Sequence, residues 1–189
     1  MNRYIPNIHY LPEWISASVT NAVTVRVLLV LLLMIVGYAH MVDVYSAFLL
    51  GVLDNGEDLY AYVPKGWENK FAGDVILRLL KTVYGLKQAA NCFYRLLVSV
   101  MHSLSFRKKC ADPYLNHRWD EGNGLMIWAS RCDDLLAVGR KKQAVLEEVE
   151  GIKGAFNVDD VGVLEDYLGC KLEFDWDNRS CRLTQPVHI

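Results

Sequence analysis

The chain has 189 residues, 52% of them apolar, with five Trp, ten Tyr and six Phe and a formal net charge of −2. This composition excludes a disordered chain and allows one well-filled core, or one core with an appendage. A charge so near zero gives no overall pull on polyanions, so any nucleic-acid groove must rest on local clusters such as Arg107-Lys108-Lys109 and Arg140-Lys141-Lys142, with Lys81 and Lys87 elsewhere. Those triplets read equally well as solvated surface or helix ends.

Residues 1–19, with Pro6 and Pro12, form a lead to which no element is assigned. Residues 25–36 hold the apolar run that ends at Val36. The run is shorter than the roughly 20 apolar residues a membrane span requires, and Arg26 sits inside it. The long mixed lead, with Glu13, is unlike a signal peptide. A buried helix is the favoured reading and a membrane anchor through 25–36 its rival. Residues 41–51 are extended in character, with Asp43 a conspicuous lone carboxylate. Residues 59–64 read as a strand ending at Pro64, and residues 75–80 as another.

Apolar residues at 93, 96, 97, 100, 101 and 104 share one face of a helix over 91–104. Residues 143–156 repeat the pattern at 145, 146, 149, 152 and 156, weakened by Gly151 and Gly154. Between them, 114–119 and 125–130 form a hairpin across the turn-rich 120–124. A second hairpin has Cys132-Asp133-Asp134 at its tip between two apolar runs, and a last one joins 166–174 to 181–183 through 175–178. Strand, helix, strands, helix, strands describes an α+β domain: a sheet with two helices on one face, of the split-βαβ kind. Five cysteines without C-x-x-C spacing suggest neither a zinc nor a disulfide framework and fit a reducing compartment, hence an intracellular, cytoplasmic protein.

Asp133 and Asp134 repel one another, and a divalent cation is the usual means of making such a pair favourable. The motifs around these acids carry a resemblance. Asp43-Val44-Tyr45-Ser46-Ala47-Phe48-Leu49-Leu50-Gly51 resembles the D-V-x-x-A-F-L-x-G of the reverse transcriptase of copia-type LTR retrotransposons. Tyr84-Gly85-Leu86-Lys87-Gln88-Ala89 resembles its Y-G-L-K-Q-A, Ala111-Asp112-Pro113 its A-D-P, and Cys132-Asp133-Asp134 its x-D-D. Asp160-Val161-Gly162 with Tyr167-Leu168-Gly169 resembles D-L-G and Y-x-L-G, and Leu183-Thr184-Gln185 resembles L-S-Q. The six motifs stand in the family's order from about residue 20 to the end.

The resemblance implies a polymerase palm with part of the fingers over residues 20–189, catalysing RNA-directed DNA synthesis from dNTPs on an RNA or DNA template-primer. It implies two Mg²⁺ ions, with Mn²⁺ as a substitute, and no membrane. Asp43 and Asp133 are the implied bridging ligands, with Asp134 contributing. Phe48 would lie under the sugar of the incoming nucleotide, and Tyr84, Gly85, Lys87 and Gln88 would line the nucleotide pocket. By themselves, Phe48 reads as core and Lys87 and Gln88 as surface or capping residues.

Arg131 and Cys132 would flank the primer end. The chain departs from the family at Arg131, where an aromatic residue is usual; a guanidinium there can pair with Asp133 or Asp134 and compete with the metal. Cys132 is a milder change, as are Ala90 and Phe93 for the usual Pro and Trp. The chain is also expected to lack the basic fingertip strands, thumb, connection and RNase H. A catalytically inactive relic that keeps the palm fold is therefore the alternative reading.

Overall fold

The computed structural model describes residues 21–53, 58–71, 75–108, 112–167 and 169–185. The lead, Lys109, Cys110, Ala111 of the A-D-P motif and Leu168 lie outside the described residues. The chain divides into two compact units, one containing Ser18–Ala47 and Leu97–Ile189, the other containing Phe48–Leu96.

The first unit begins with helix α1 (Ala22–Ile35), which covers most of the apolar run. Asn21 caps it, its side chain accepting the Val23 N–H at 2.9 Å. Asp112 of the A-D-P motif ties down the same end, accepting from the Thr24 hydroxyl at 2.6 Å and from the Tyr114 N–H at 3.0 Å. That acid therefore has a structural task. Val25, Leu28, Leu29 and Leu32 are buried, an i, i+3, i+4, i+7 stripe worth roughly 1.5–3 kcal/mol per side chain. Val23, Val27, Val30 and Met34, on the other side of α1, are exposed. The buried helix expected here is present, buried along one side and exposed along the other. No described helix is long and apolar enough to cross a membrane.

Strand β1 (Tyr38–Val44) follows and carries Asp43. In chain order after the second unit come helix α3 (Ala89–Ser103), whose C-terminal turns enter this unit, then β4 (Arg107–Lys108), β5 (Leu115–Asp120), β6 (Gly124–Arg131), β7 (Asp134–Gly139), helix α4 (Lys142–Ala155) and β8 (Val158–Val163). Among the described residues they form a six-stranded sheet ordered β4-β5-β6-β7-β1-β8, antiparallel at every pairing. Strands β9 (Asp166–Tyr167), β10 (Cys170–Asp175) and β11 (Ser180–Thr184) make a three-stranded sheet of their own.

Alternation along the strands sorts their side chains onto two faces. Ala39 and Met41 of β1, Ile127 and Ala129 of β6, and Leu136 and Val138 of β7 form one core with the buried stripe of α1 and with Leu164, Tyr167 and Leu172. Helix α4 packs against β1 and β7. It does so on the opposite face: Lys153 of α4 reaches Asp160 at 2.8 Å, and Asp160 lies 2.6 Å from Nε2 of buried His40. The sequence pattern anticipates α4; it does not anticipate a helix on the other face, because α1, with only Thr24 and Arg26 polar, shows no clear polar side.

The β1–β8 ladder slips between Met41 and Val42. His40 pairs with Val163 and Met41 with Gly162, yet Val42 pairs with Asp160, so Val161 is an extra residue, a bulge.

The second unit holds the end of helix α2 (Ala47–Leu50), the paired strands β2 (Tyr60–Tyr62) and β3 (Ile76–Arg78), and the first turns of α3. The two strands fall within the segments expected to be extended, each shorter than expected.

Candidate active site

The hairpin between β6 and β7 closes on the pair Arg131–Asp134, leaving Cys132 and Asp133 as its two central residues. Cys132 has φ 54°, the left-handed conformation that tight two-residue hairpins demand and usually give to Gly, Asn or Asp. A thiol-bearing residue held there is strained by roughly 1–2 kcal/mol. Of the two acids expected at the tip, Asp133 occupies it and Asp134 opens β7. The carbonyl of Asp133 accepts the Val44 N–H at 3.0 Å, fixing the turn to the end of β1.

Across the sheet the registers line up four charged residues. Arg131 faces Asp134, Asp134 faces Asp43, and Asp43 faces Asp159 of β8. Residues directly opposite one another in antiparallel strands share a face. The row therefore crosses β6, β7, β1 and β8 on the face covered by α1, at the strand ends next to the hairpin.

The carboxyl of Asp43 is raised above its ordinary pKa, first by burial and then by the charges of Asp133 and Asp159. That of Asp134 is raised too, by burial and by Asp133 and Asp43, with Arg131 opposing. The Cys132 thiol is pushed up by burial and by Asp133. The three implied ligands thus act on one another. Among the described residues no ion pair joins Arg131 to either acid; its charge acts on Asp134 only through space.

Tyr167 belongs to the same neighbourhood. It is 5% exposed, its hydroxyl has no hydrogen-bond partner among the described residues, and its pKa is raised by burial and by the charge of Asp134. A buried phenol without a partner costs roughly 1–3 kcal/mol.

The donor set suits Mg²⁺, a hard cation that takes carboxylate oxygens and usually only one or two of them per ion, the rest coming from water and phosphate. Among the described residues no three acids, His or Cys converge on a single point. The two raised carboxyls mark where a cation would relieve repulsion.

The second unit brings together other expected residues. Phe48 meets Tyr84 edge to face, with ring centroids 5.5 Å apart at 83°. Thr82 Oγ1 donates to the carbonyls of Phe48 and Gly51, at 2.5 and 3.2 Å. A Cβ at Gly51 would lie 2.7 Å from Cys92 Cβ and from Thr82 Oγ1, so the last residue of the first motif must be glycine. Gly85, with φ 89°, is the third residue of a turn closed by Leu86 N–H on Val83 C=O at 3.2 Å. Lys87 is exposed, while Gln88 is buried and accepts the first helical N–H of α3, from Cys92, at 2.9 Å.

Sequence reasoning missed Asp159. Its signal was the Asp159-Asp160 dipeptide, of which only the second residue falls in a motif.

A family model described as Reverse transcriptase (RNA-dependent DNA polymerase) matches residues 2–188, the N-terminal lead included. The chain is 29% identical over 175 residues to the Retrovirus-related Pol polyprotein from transposon TNT 1-94 of Nicotiana tabacum, covering 93% of this chain and 13% of that protein. It is 26% identical over 147 residues to the corresponding polyprotein from transposon RE2 of Arabidopsis thaliana (78% and 9%). To that from transposon RE1 it is 28% identical over 127 residues (67% and 8%). The chain spans 13% or less of the length of these relatives. No solved structure matches it. With a family model running along nearly the whole chain, the protein belongs to the reverse transcriptase (RNA-dependent DNA polymerase) family.

Proposed function

We propose that the chain is the RNA-directed DNA polymerase domain of a copia-type element, with residues 20–189 forming a palm and part of the fingers. The observation that carries this reading is the pairing of Asp43 with Asp134 across β1 and β7, beside a hairpin whose tip is Asp133. Strand order β6-β7-β1-β8, with α3 and α4 between the strands along the chain, supports this palm reading.

Asp43 and Asp133 would hold Mg²⁺, with Asp134 beside them and Mn²⁺ as a substitute. When bound, the two ions neutralise charge at the attacking primer oxygen and on the triphosphate of the dNTP. The protein's own part is placement. The sheet fixes Asp43 and Asp134 in one cross-strand pair. The contact between Asp133 C=O and Val44 N–H holds the turn against β1. By resemblance to the family, the ring of Phe48 would lie under the sugar of the dNTP, where a 2′-hydroxyl would clash, and Tyr84, Gly85, Lys87 and Gln88 would line the nucleotide pocket. The template-primer is RNA or DNA, and the setting is intracellular.

A second reading, a non-catalytic relic, is favoured by one observation: Arg131 stands opposite Asp134, where the family has a ring to support the primer end. Primer extension on an RNA template with Mg²⁺ and dNTPs decides between them, run beside an Asp133→Asn Asp134→Asn variant. Extension lost in the variant supports the polymerase. No extension from a folded wild-type chain, unrestored by Arg131→Tyr, supports the relic.

A further inference from the structure

The acid row ends on a residue to which neither the motifs nor the fold gives a task. Asp159 stands across β1–β8 from Asp43, on the site face of the sheet. We infer that Asp159 is a fourth acid of the site, a positioning residue that draws a divalent cation toward Asp43 and offsets the positive charge Arg131 brings to the far end of the row. This deepens the polymerase reading and rests on it.

The neighbouring residue shows what a structural aspartate looks like in this strand. Asp160 points to the α4 face and is held by Lys153 at 2.8 Å and by His40 at 2.6 Å. Asp159, on the other face, has no ion pair or hydrogen bond among the described residues. A carboxylate with no counter-charge, set directly across from a second carboxylate that faces a third, is destabilising in a sheet. Asn or Ser at this position would remove the repulsion.

A second incomplete polar group lies toward the other end of the row, beside Asp134. The Tyr167 hydroxyl is buried and unpartnered among the described residues, close enough to Asp134 to feel its charge. A phenol oxygen there can donate to an inner carboxylate or to a cation's water, either of which gives the group its missing partner. The row and the phenol are thus polar groups left incomplete on one side. Arg131, Asp133, Asp134, Asp43 and Asp159 sum to −3, and without Asp159 they would sum to −2, a weaker lure for a doubly charged ion.

Mn²⁺ binding to the full chain tests this, followed by loss of the hexaaqua Mn²⁺ resonance in electron paramagnetic resonance at neutral pH. Asp159→Asn should weaken binding by about tenfold, Asp159→Glu should restore it, and Arg131→Gln should tighten it. Thermal melts without cation run alongside, and in them Asp159→Asn should melt no lower than wild type, because it removes a repulsion. Asp159→Ser serves if the Asn variant does not fold. Glu165→Gln, another exposed acid of the same unit, controls for general charge and should leave affinity unchanged. Equal Mn²⁺ affinity in wild type and Asp159→Asn overturns the assignment and leaves the Asp43–Asp133 reading standing. So does a Glu165→Gln effect as large as that of Asp159→Asn, or a fall in melting temperature that parallels the loss of affinity. Absence of Mn²⁺ binding in folded wild type overturns both.

Discussion

Asp43 and Asp134 face each other across the β1–β7 ladder, two carboxylates at a register position where opposite charges or apolar side chains would stabilise the pair. Both carboxyls are raised, burial being the larger cause in each. Fold stability is being spent where the chemistry is expected.

That relationship has a pH signature. A carboxyl whose folded pKa exceeds its unfolded value holds its proton more tightly in the native state. The penalty is then in full force at neutral pH. It is relieved as pH falls through the raised folded value toward the ordinary carboxylate pKa. Asp134→Asn should therefore stabilise the cation-free chain at neutral pH by on the order of 0.5 kcal/mol, a rise of roughly 1–2 °C in melting temperature. The gain should shrink as the melts are repeated at progressively lower pH down to the unfolded value. A variant less stable than wild type at neutral pH would contradict the assigned repulsion.

The opposite behaviour belongs to Asp160. Its carboxyl is held below the usual range by Lys153 and then by His40. Its contribution is present above the unfolded pKa and is lost as pH falls through the depressed folded value. Because Asp160 is partly exposed, solvent screens the charge part of this. What remains is chiefly the partner of buried His40, so Asp160→Asn should cost roughly 1–2 kcal/mol. Chemical denaturation at neutral pH checks it, and a cost unchanged well below the depressed pKa would argue against linkage.

Gly51→Ala should destabilise the second unit by roughly 1–3 kcal/mol, the usual penalty for overpacking. The obstruction includes backbone, since the added carbon would lie 3.0 Å from the Phe93 nitrogen as well as against Cys92 and Thr82. Denaturant titration is the measurement. A neutral result would mean that α3 is free to shift.

At the hairpin, Cys132→Gly should stabilise by roughly 0.5–1 kcal/mol, removing left-handed strain while adding chain entropy to the unfolded state. If the strain instead serves to aim Asp133, the same variant should lose primer extension while melting higher. Destabilisation by Gly would show that the Cys132 side chain earns its position by packing.

Much of the fold was legible because its elements are regular. Helices α3 and α4 announce themselves by 3.6-residue spacing, and Asp120 and Asp175 mark turns they go on to close, Asp120 accepting from Gly122 and Asn123, Asp175 from Asn178. The acids were legible through motif order. Strand β8 was not, since Asp159, Asp160 and Gly162 give an edge strand no apolar alternation to read. Nor was the two-sidedness of α1, in which Thr24 and Arg26 are too few to mark a polar face. The contribution of Asp159 depends on register, and register depends on a bulge that no local pattern in the sequence reveals.

That bulge has the character of a splice between two phases. In an unbroken strand residues 160 and 164 would share a face, yet Asp160 is needed among the helices and Leu164 in the opposite core, its N–H reaching Ala39 C=O at 3.3 Å. One supernumerary residue, Val161, satisfies both demands. Were Val161 paired in a regular ladder instead, a choice would follow: keep Asp159 beside Asp43 and turn Leu164 out of the core, or keep Leu164 and hand the place beside Asp43 to Asp160. The bulge, more than the identity of the residue in it, is what lets this edge of the sheet hold both.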